Sequence, residues 1–513
     1  MGASRVVEAR SGRLDREVPG RLNAPVIRRN HRLTPLQPVD DFLRGNVVVL
    51  SYDERRKPGH VKQQAAASRK GGLRLTTAFV PAFLASAALV APAAQVAGLQ
   101  DPTEADTAAA AAVPGSSLSV HLLTMEPGDA IWELFGHNAL VISDRATGYA
   151  QAFHYGLFNR FSEGFYFRFL KGRMMYGTAA VQPDRLIAAY RAQNRRVWSQ
   201  ELDLEPRQKA EMLRLLETAV LPENMRYRYE YYLNNCSTKL RDVINVVLDG
   251  QLQRATDGSA TGTNWREQTR RLTAADPFGY VGIDLLLGPM GDEPTNRWQE
   301  MWIPMKLRDT VGGLWVNRSD GSRVRLVGSE VLLVNSDRSQ EAAGAPSVIP
   351  LFLLCGMLVA LLLLLVGRAA HHGALLARLG LGLFGGLWGG FCFIAGAILI
   401  AVHWTDHEFM YWNQNVLLFS PLGAGVAFAL IRVSMRGRTS RWGRRVAIAA
   451  LGLAGIALLL NLIPALASGN RELVVLTVPI HLAVCWIMLR VYPMDRSLLY
   501  GHGGGPGTTR YGV

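Results

Sequence analysis

Five apolar stretches, near 347–367, 379–402, 414–432, 446–466 and 472–492, dominate the last third of the chain and limit what it can fold into. Each is about the 20 residues that a helix needs to cross hydrocarbon. The mean hydropathy of the whole chain is only +0.10, so the apolar residues are segregated rather than spread. The connections between the stretches set an orientation. Arg368 and Arg378 flank the first, six arginines between Arg432 and Arg445 crowd the third, and Arg490 and Arg496 bracket the end of the last stretch. The second connection, 403–413, has no Lys or Arg, and the fourth has only Arg471. Alternate loops are therefore basic, which places the segment before the first stretch outside the cytoplasm. The net charge of +14 reflects these loops and an Arg-rich beginning. With no nucleic-acid motif beside it, it points to membrane orientation and not to a nucleic-acid partner.

Residues 1–70 have no sustained period and read as a disordered leader. Arg69, Lys70 and Arg74, the apolar run Leu75–Val90 and the small residues of 91–97 then look like a secretory signal or an uncleaved anchor over 71–99. Its internal position suggests a true start near Val61. A linker of small residues, 100–117, leads into an exported domain over 118–340; a membrane domain over 347–492 and a cytoplasmic tail over 493–513 follow.

Within the exported domain, Leu118–Thr124, Ala139–Ser143, Ala150–Tyr155 and Val197–Leu204 have strand patterns. Pro183–Asn194, Pro206–Val220 and Ser237–Leu248 have helical ones, the first two opened by proline. A hairpin is expected over Gly313–Asn335 around Ser319-Asp320-Gly321, and 257–310 is expected to be mostly helical. The fold class is α+β, followed by an all-α polytopic membrane domain of about five spans.

Cysteine usage isolates one thiol. Cys355, Cys392 and Cys485 lie in apolar stretches, where cysteine serves as a small hydrophobe, and Cys236 alone lies in the polar half. It follows Asn234-Asn235 and precedes Ser237-Thr238 at the opening of a helix. There, unpaired N–H groups and the positive end of the helix dipole favour a thiolate, and the same N–H groups can hold an oxyanion. An inert buried thiol is the plain alternative. A thiol nucleophile needs a base, and His137, after Gly136 at a strand start, is the candidate. His154 on the next strand could orient its ring, in competition with Tyr155 and Glu133. Asn235, Ser237 and Tyr155 are candidates for substrate or oxyanion contacts. In the aromatic second connection, Trp404, Tyr411 and Trp412 suit a membrane interface, whereas His407, Asn413 and Asn415 could hold a lipid headgroup. Asp406, His407 and Glu408 lack a second cluster to complete a metal site, so neither metal nor cofactor is expected.

Histidine, a second polar residue, then Asn-Cys before a helix is the order of the circularly permuted papain-like enzymes, including NlpC-type hydrolases and the lecithin–retinol acyltransferase group. More closely, the chain resembles the Lnb-type alternative lipoprotein N-acyltransferase family of bacterial envelopes. The resemblance is carried by Trp132-Glu133-Leu134-Phe135-Gly136-His137-Asn138, by His154-Tyr155-Gly156-Leu157-Phe158, and by Arg226-Tyr227 through Asn235-Cys236-Ser237-Thr238-Lys239-Leu240-Arg241-Asp242. It runs on through 284–304 and resumes at Thr405-Asp406-His407, Asn413-Gln414-Asn415-Val416-Leu417-Leu418 and Pro421-Leu422. His154 departs from the pattern, which has Asn or Asp there. The resemblance implies a permuted papain-like fold and a bacterial inner-membrane location with the catalytic domain in the periplasm. It also implies a Cys236 thioester that carries an acyl chain from a phospholipid to the N-terminal amine of a diacylglyceryl-lipoprotein. Two other classes fit parts of the pattern: a membrane-tethered cysteine hydrolase or peptidase of the envelope, and a non-catalytic transport or assembly component. The second would be expected to carry buried charge along its spans, and the apolar stretches have only His481 at mid-span.

Overall fold

A computed structural model describes residues 113–463 and 466–494. The leader, the signal or anchor segment, most of the linker and the tail beyond Met494 lie outside the described residues. In chain order, β1 (Leu118–Met125), β2 (His137–Asp144), β3 (Tyr149–Leu157), a short helix α1 (Phe165–Leu170), β4 (Met175–Val181), α2 (Pro183–Ala192), β5 (Val197–Leu202), α3 (Pro206–Ala219), β6 (Arg226–Arg228) and α4 (Cys236–Val247) form the first part of the exported domain. The second part runs through α5 (Gln251–Thr256), β7 (Ala260–Asn264), α6 (Trp265–Thr273), α7 (Pro277–Leu286), β8 (Pro294–Asn296), α8 (Arg297–Glu300) and α9 (Pro304–Gly312) to β9 (Trp315–Asn317), β10 (Arg323–Arg325) and β11 (Val327–Val334).

Seven strands pair in the order β11-β5-β1-β2-β3-β4-β6, and every neighbouring pair is antiparallel. Alternation along each strand sends side chains to opposite faces. Leu122 of β1, Leu140 and Ile142 of β2 and Phe153 of β3 meet Leu240 and Ile244 of α4 and Met212 and Leu216 of α3 on one face. Leu123, Ala139, Val141 and Ala152 meet Leu186 and Tyr190 of α2 on the other. Full burial of side chains of this size stabilises by about 1.5–3 kcal/mol each, so these two layers fix how the helices sit. The strands and helices expected from sequence appear with their ends shifted only slightly. The tight hairpin is β9–β10, and β11 continues from it as the edge strand of the main sheet. The mostly helical 257–310 also contains a two-stranded sheet, β7–β8.

The bundle comprises α10 (Ile349–His371), α11 (Leu375–Ala401), α12 (Gly423–Arg436), α13 (Arg441–Leu462) and α14 (Arg471–Trp486). Among the described residues, four helical segments are long and apolar enough to cross a membrane: Ile349–His371, Leu375–Trp404, Arg441–Leu462 and Arg471–Val491. The stretch near 414–432, expected as a fifth, is built differently. Its first part is a 3₁₀ turn, Gln414–Leu417, and its helix has only 14 residues. A glycine-rich face of α11 receives it. Gly389 and Gly423 are so close that a Cβ on either would fall about 2.5 Å from the other's carbonyl oxygen, the small-residue contact typical of helices in lipid.

The basic connections gather at one end of the bundle. Arg378 Nε donates to Ser434 O at 2.8 Å, Arg444 to Tyr492 O at 3.1 Å, and His371 meets the ring of Tyr492. The connections poor in Lys and Arg lie at the opposite end, against the exported domain. Arg270 of α6 bridges Asp284 and Glu472, at 2.8 Å each, and Arg266 pairs with Asp284 at 3.0 Å and Asp292 at 2.6 Å. Gly469 N and Ser468 Oγ both donate to Asp292. Buried ion pairs of this kind strongly resist loss of one partner, so the exported domain is fastened to the bundle and not loosely tethered.

Candidate active site

Asn235 opens α4. Its Oδ1 accepts from the backbone N–H of Ser237 and of Thr238, each at 2.9 Å, and Thr238 Oγ1 accepts from its N–H in return. Its amide nitrogen donates to Tyr231 O and Trp302 O, both at 2.9 Å. Every polar atom of this side chain is thus engaged in holding the helix end, so Asn235 positions its neighbour and has nothing left to offer a substrate. Cys236 follows as the first helical residue.

The sulfur lies where α4 meets the start of β2. The backbone N–H groups of Asn138, Ser237 and Cys236 itself all act on it as hydrogen-bond donors that favour the thiolate, yet burial outweighs them and pushes the thiol up to about 11 from 9.0. The lowered pKa expected from the helix end alone is therefore not realised in this state. Desolvation of the charged form is the larger effect. Gly156 on β3 makes room: at φ +93° it accepts a backbone conformation that side chains disfavour, and an added Cβ would lie 3.4 Å from Cys236 Cβ.

His137 precedes Asn138, so the peptide that reaches the sulfur is the one following the imidazole. His137 Nε2 and His154 Nδ1 are 3.2 Å apart, one donating to the other according to tautomer, with their rings edge to face. Of the three residues expected to compete for contact with the His137 ring, His154 is thus the one hydrogen-bonded to it. Tyr155 faces the opposite side of β3, in the core against Tyr227. Glu133 turns to Arg195, 3.8 Å away. Burial, then the like charge of His154 and then Arg195, hold His137 well below the usual imidazole range. Burial alone brings His154 to about 4, and its Nε2 has no hydrogen-bond partner among the described residues. Both rings are neutral at physiological pH.

Two residues were not legible as site members from sequence. Tyr190 of α2 is fully buried and lies parallel to His137, with ring centroids 6.5 Å apart. Arg195 stacks on Tyr190, its guanidinium 4.5 Å from the ring and its Nε donating to Glu126 O at 2.7 Å. Tyr190 falls at helical spacing from Leu186 and so reads as core. Together with Trp132, Gly136, Phe158, His137 and His154 they line a cavity of about 80 Å³.

Ser237 and the three loop residues occupy places that their sequence reading did not anticipate. Ser237 is buried, with its hydroxyl donating to Met301 O at 2.7 Å. His407 has both ring nitrogens in use, on the Tyr231 hydroxyl at 2.6 Å and on Phe169 O at 2.8 Å. Asn413 and Asn415 each donate to Leu285 O at 2.9 Å, Asn413 Oδ1 accepts from Asn415 N, and Asn415 Oδ1 accepts from Asn470. The three loop side chains are struts between the exported domain and the bundle, with their polar atoms bonded to protein.

No curated protein and no solved structure matches the chain. Residues 104–272 match the family model of the Lnb N-terminal periplasmic domain, a span that contains His137, His154 and Cys236 and stops at α6. With the four helical segments long and apolar enough to cross a membrane, the match identifies a membrane protein with an extracytoplasmic domain, and that domain is of the Lnb type.

Proposed function

We propose that the protein is a cysteine-dependent lipoprotein N-acyltransferase of the bacterial inner membrane, with a permuted papain-like domain on the periplasmic side. The observation that supports this reading is that the backbone N–H of Asn138, the residue after His137, acts on the Cys236 sulfur while His137 pairs with His154, in a domain fastened to the apolar helices.

In the first half-reaction the thiol of Cys236 attacks an acyl ester carbonyl of a phospholipid. Its proton passes to His137, whose Nδ1 is the basic site in the tautomer in which Nε2–H donates to His154 Nδ1. The N–H groups of Asn138 and Cys236, which act on the sulfur in the resting state, then hold the oxyanion. Collapse breaks the ester C–O bond, the lysophospholipid oxygen takes the proton from His137, and a thioester remains on Cys236. In the second half-reaction the free α-amine of a diacylglyceryl-lipoprotein attacks the thioester carbonyl. The amine proton goes to His137 and from there to the departing sulfur, which leaves an amide and restores the thiol. Both substrates are lipids at one surface, and a domain held against that surface replaces two diffusional searches by one placement. The fastening also favours lipid substrates over soluble wall peptides, which a hydrolase could meet without it.

The test is expression in a host deprived of its own lipoprotein N-acyltransferase, with mass spectrometry of lipoprotein N-termini. N-acylated termini are expected from the wild type and none from Cys236→Ser or His137→Ala at equal abundance. Free amines throughout with well-expressed wild type would refute the transferase reading, and activity in either variant would remove that residue from the mechanism.

A further inference from the structure

Between β3 and β4 the chain exposes apolar surface in an unusual way. The helix α1, Phe-Tyr-Phe-Arg-Phe-Leu, has no buried residue, and Phe161, Tyr166, Phe167 and Leu170 are 63–67% exposed. Single exposed hydrophobes are ordinary, but a contiguous aromatic patch on an exported domain marks a surface meant to be covered. Basic side chains are interleaved with it: Arg160 lies 4.8 Å from the Phe161 ring centroid and Lys171 5.9 Å from that of Phe167.

What covers the patch follows from its fastening. His407 Nε2 is hydrogen-bonded to Phe169 O at 2.8 Å, Asp406 N donates to Lys171 O at 2.9 Å, and Asp406 pairs with Arg173 at 2.9 Å. Asp406 and His407 closely follow the membrane-crossing segment that ends at Trp404. Trp404 and Trp412, which flank this connection, are 73% and 79% exposed, as residues of an interfacial belt are. The patch thus lies at the end of a membrane span. On its inner side Phe165 stacks on Phe158 at 5.9 Å, and Phe158 is a wall of the cavity that holds His137.

We propose that α1 and the preceding turn lie in the lipid interface of the leaflet facing the exported domain, with rings among acyl chains and Arg160, Arg168 and Lys171 at phosphate level, and that phospholipid reaches the cavity along Phe165 and Phe158. That this lipid is the acyl donor rests on the transferase reading; that the segment sits in lipid does not.

The test uses the full chain with its four cysteines replaced (Cys236→Ser, Cys355→Ala, Cys392→Ala, Cys485→Ala) and a single cysteine introduced by Phe167→Cys or Leu170→Cys. Each variant is spin-labelled and reconstituted in phosphatidylethanolamine–phosphatidylglycerol vesicles. Collision with oxygen is compared with collision with a water-soluble nickel chelate, using labels at Leu361 on the outer face of α10 and at Ser322 in the β9–β10 turn as lipid and water references. The oxygen-to-nickel ratio at 167 and 170 is expected to shift to the Leu361 side. Ratios equal to that at Ser322 at both positions would overturn the proposal. The readout needs no activity, so a lipid-like ratio beside a wild type that transfers no acyl chain would leave this inference standing and sink only the transferase.

Discussion

A thiol that burial pushes up to about 11 should be a poor nucleophile until substrate arrives, and this can be measured directly. In the variant keeping only Cys236 (Cys355→Ala, Cys392→Ala, Cys485→Ala), alkylation by iodoacetamide reports the thiolate fraction. Below pH 9 a thiol with pKa 9.0 is ionised about 100 times more than one at 11. Alkylation at neutral pH should therefore be about 100-fold slower than for an ordinary exposed cysteine at the same pH. It should then rise about tenfold per pH unit up to about pH 10. The sign follows from the structure: three N–H donors favour the thiolate, but desolvation is larger, and neither neighbouring imidazole carries charge to pair with it. A preformed thiolate–imidazolium pair would give fast alkylation with a plateau across about pH 5–8. That plateau, measured with the full chain in membranes, would sink the reasoning. The same shift makes a stability statement. A thiol whose folded pKa lies above its unfolded one stabilises below pH 9, and the contribution fades as pH rises from 9 towards 11.

Three further outcomes are expected. His154→Ala should lower turnover about 10–100-fold through loss of ring orientation; His154→Asn should restore much of it, and His154→Asp, by favouring imidazolium at His137, should move the acid limb of the pH–rate profile to higher pH. If His154→Ala left both rate and profile unchanged, the 3.2 Å contact would have no catalytic meaning. Asn235→Ala removes an N-cap and two buried donors and should cost about 1–3 kcal/mol, read as a lowered melting temperature with activity lost before unfolding; an unaltered melt would contradict the capping account. Arg270→Ala leaves Asp284 and Glu472 short of a partner, a loss of about 3–5 kcal/mol where such a pair is buried, and should loosen the exported domain from the bundle as judged by faster proteolysis between 313 and 348; protection equal to wild type would show that the clamp is dispensable.

Much of the fold and site is legible in the residues because period and chemistry coincide there. The alternation in the first two strands fixes both faces of a sheet, and Leu240, Val243, Ile244 and Val247 fix how α4 lies on it, which is why the start of β2 and the start of α4, with Asn138 N–H on the Cys236 sulfur, come together. Local pattern has no access to desolvation, so it points the thiol's shift in the wrong direction. Tyr190 has the spacing of a core residue and is one, while also lying parallel to the base. Asn413 and Asn415 look like ligand contacts because polar residues near a membrane suggest function, but a carbonyl at the end of α7 claims both. The stretch near 414–432 has the length and hydropathy of a span; only the glycine face of α11 and the buried asparagines show why its first part is not α-helical.

Leu285 O, which accepts from Asn413 and Asn415, also imposes an order of events on biogenesis. The ribosome must add 128 residues after Leu285 before its first partner exists, a wait of roughly ten seconds at common elongation rates. For that interval α7 stands outside the cell's cytoplasm with its end unsealed. The 3₁₀ entry to α12 has the opposite problem: backbone that departs from the α-helix beside apolar spans is stable only when protein covers it. Each half supplies the other's missing closure, so the exported fold closes only after the bundle has been made, and a secreted fragment ending before the bundle would lack both partners of Leu285 O.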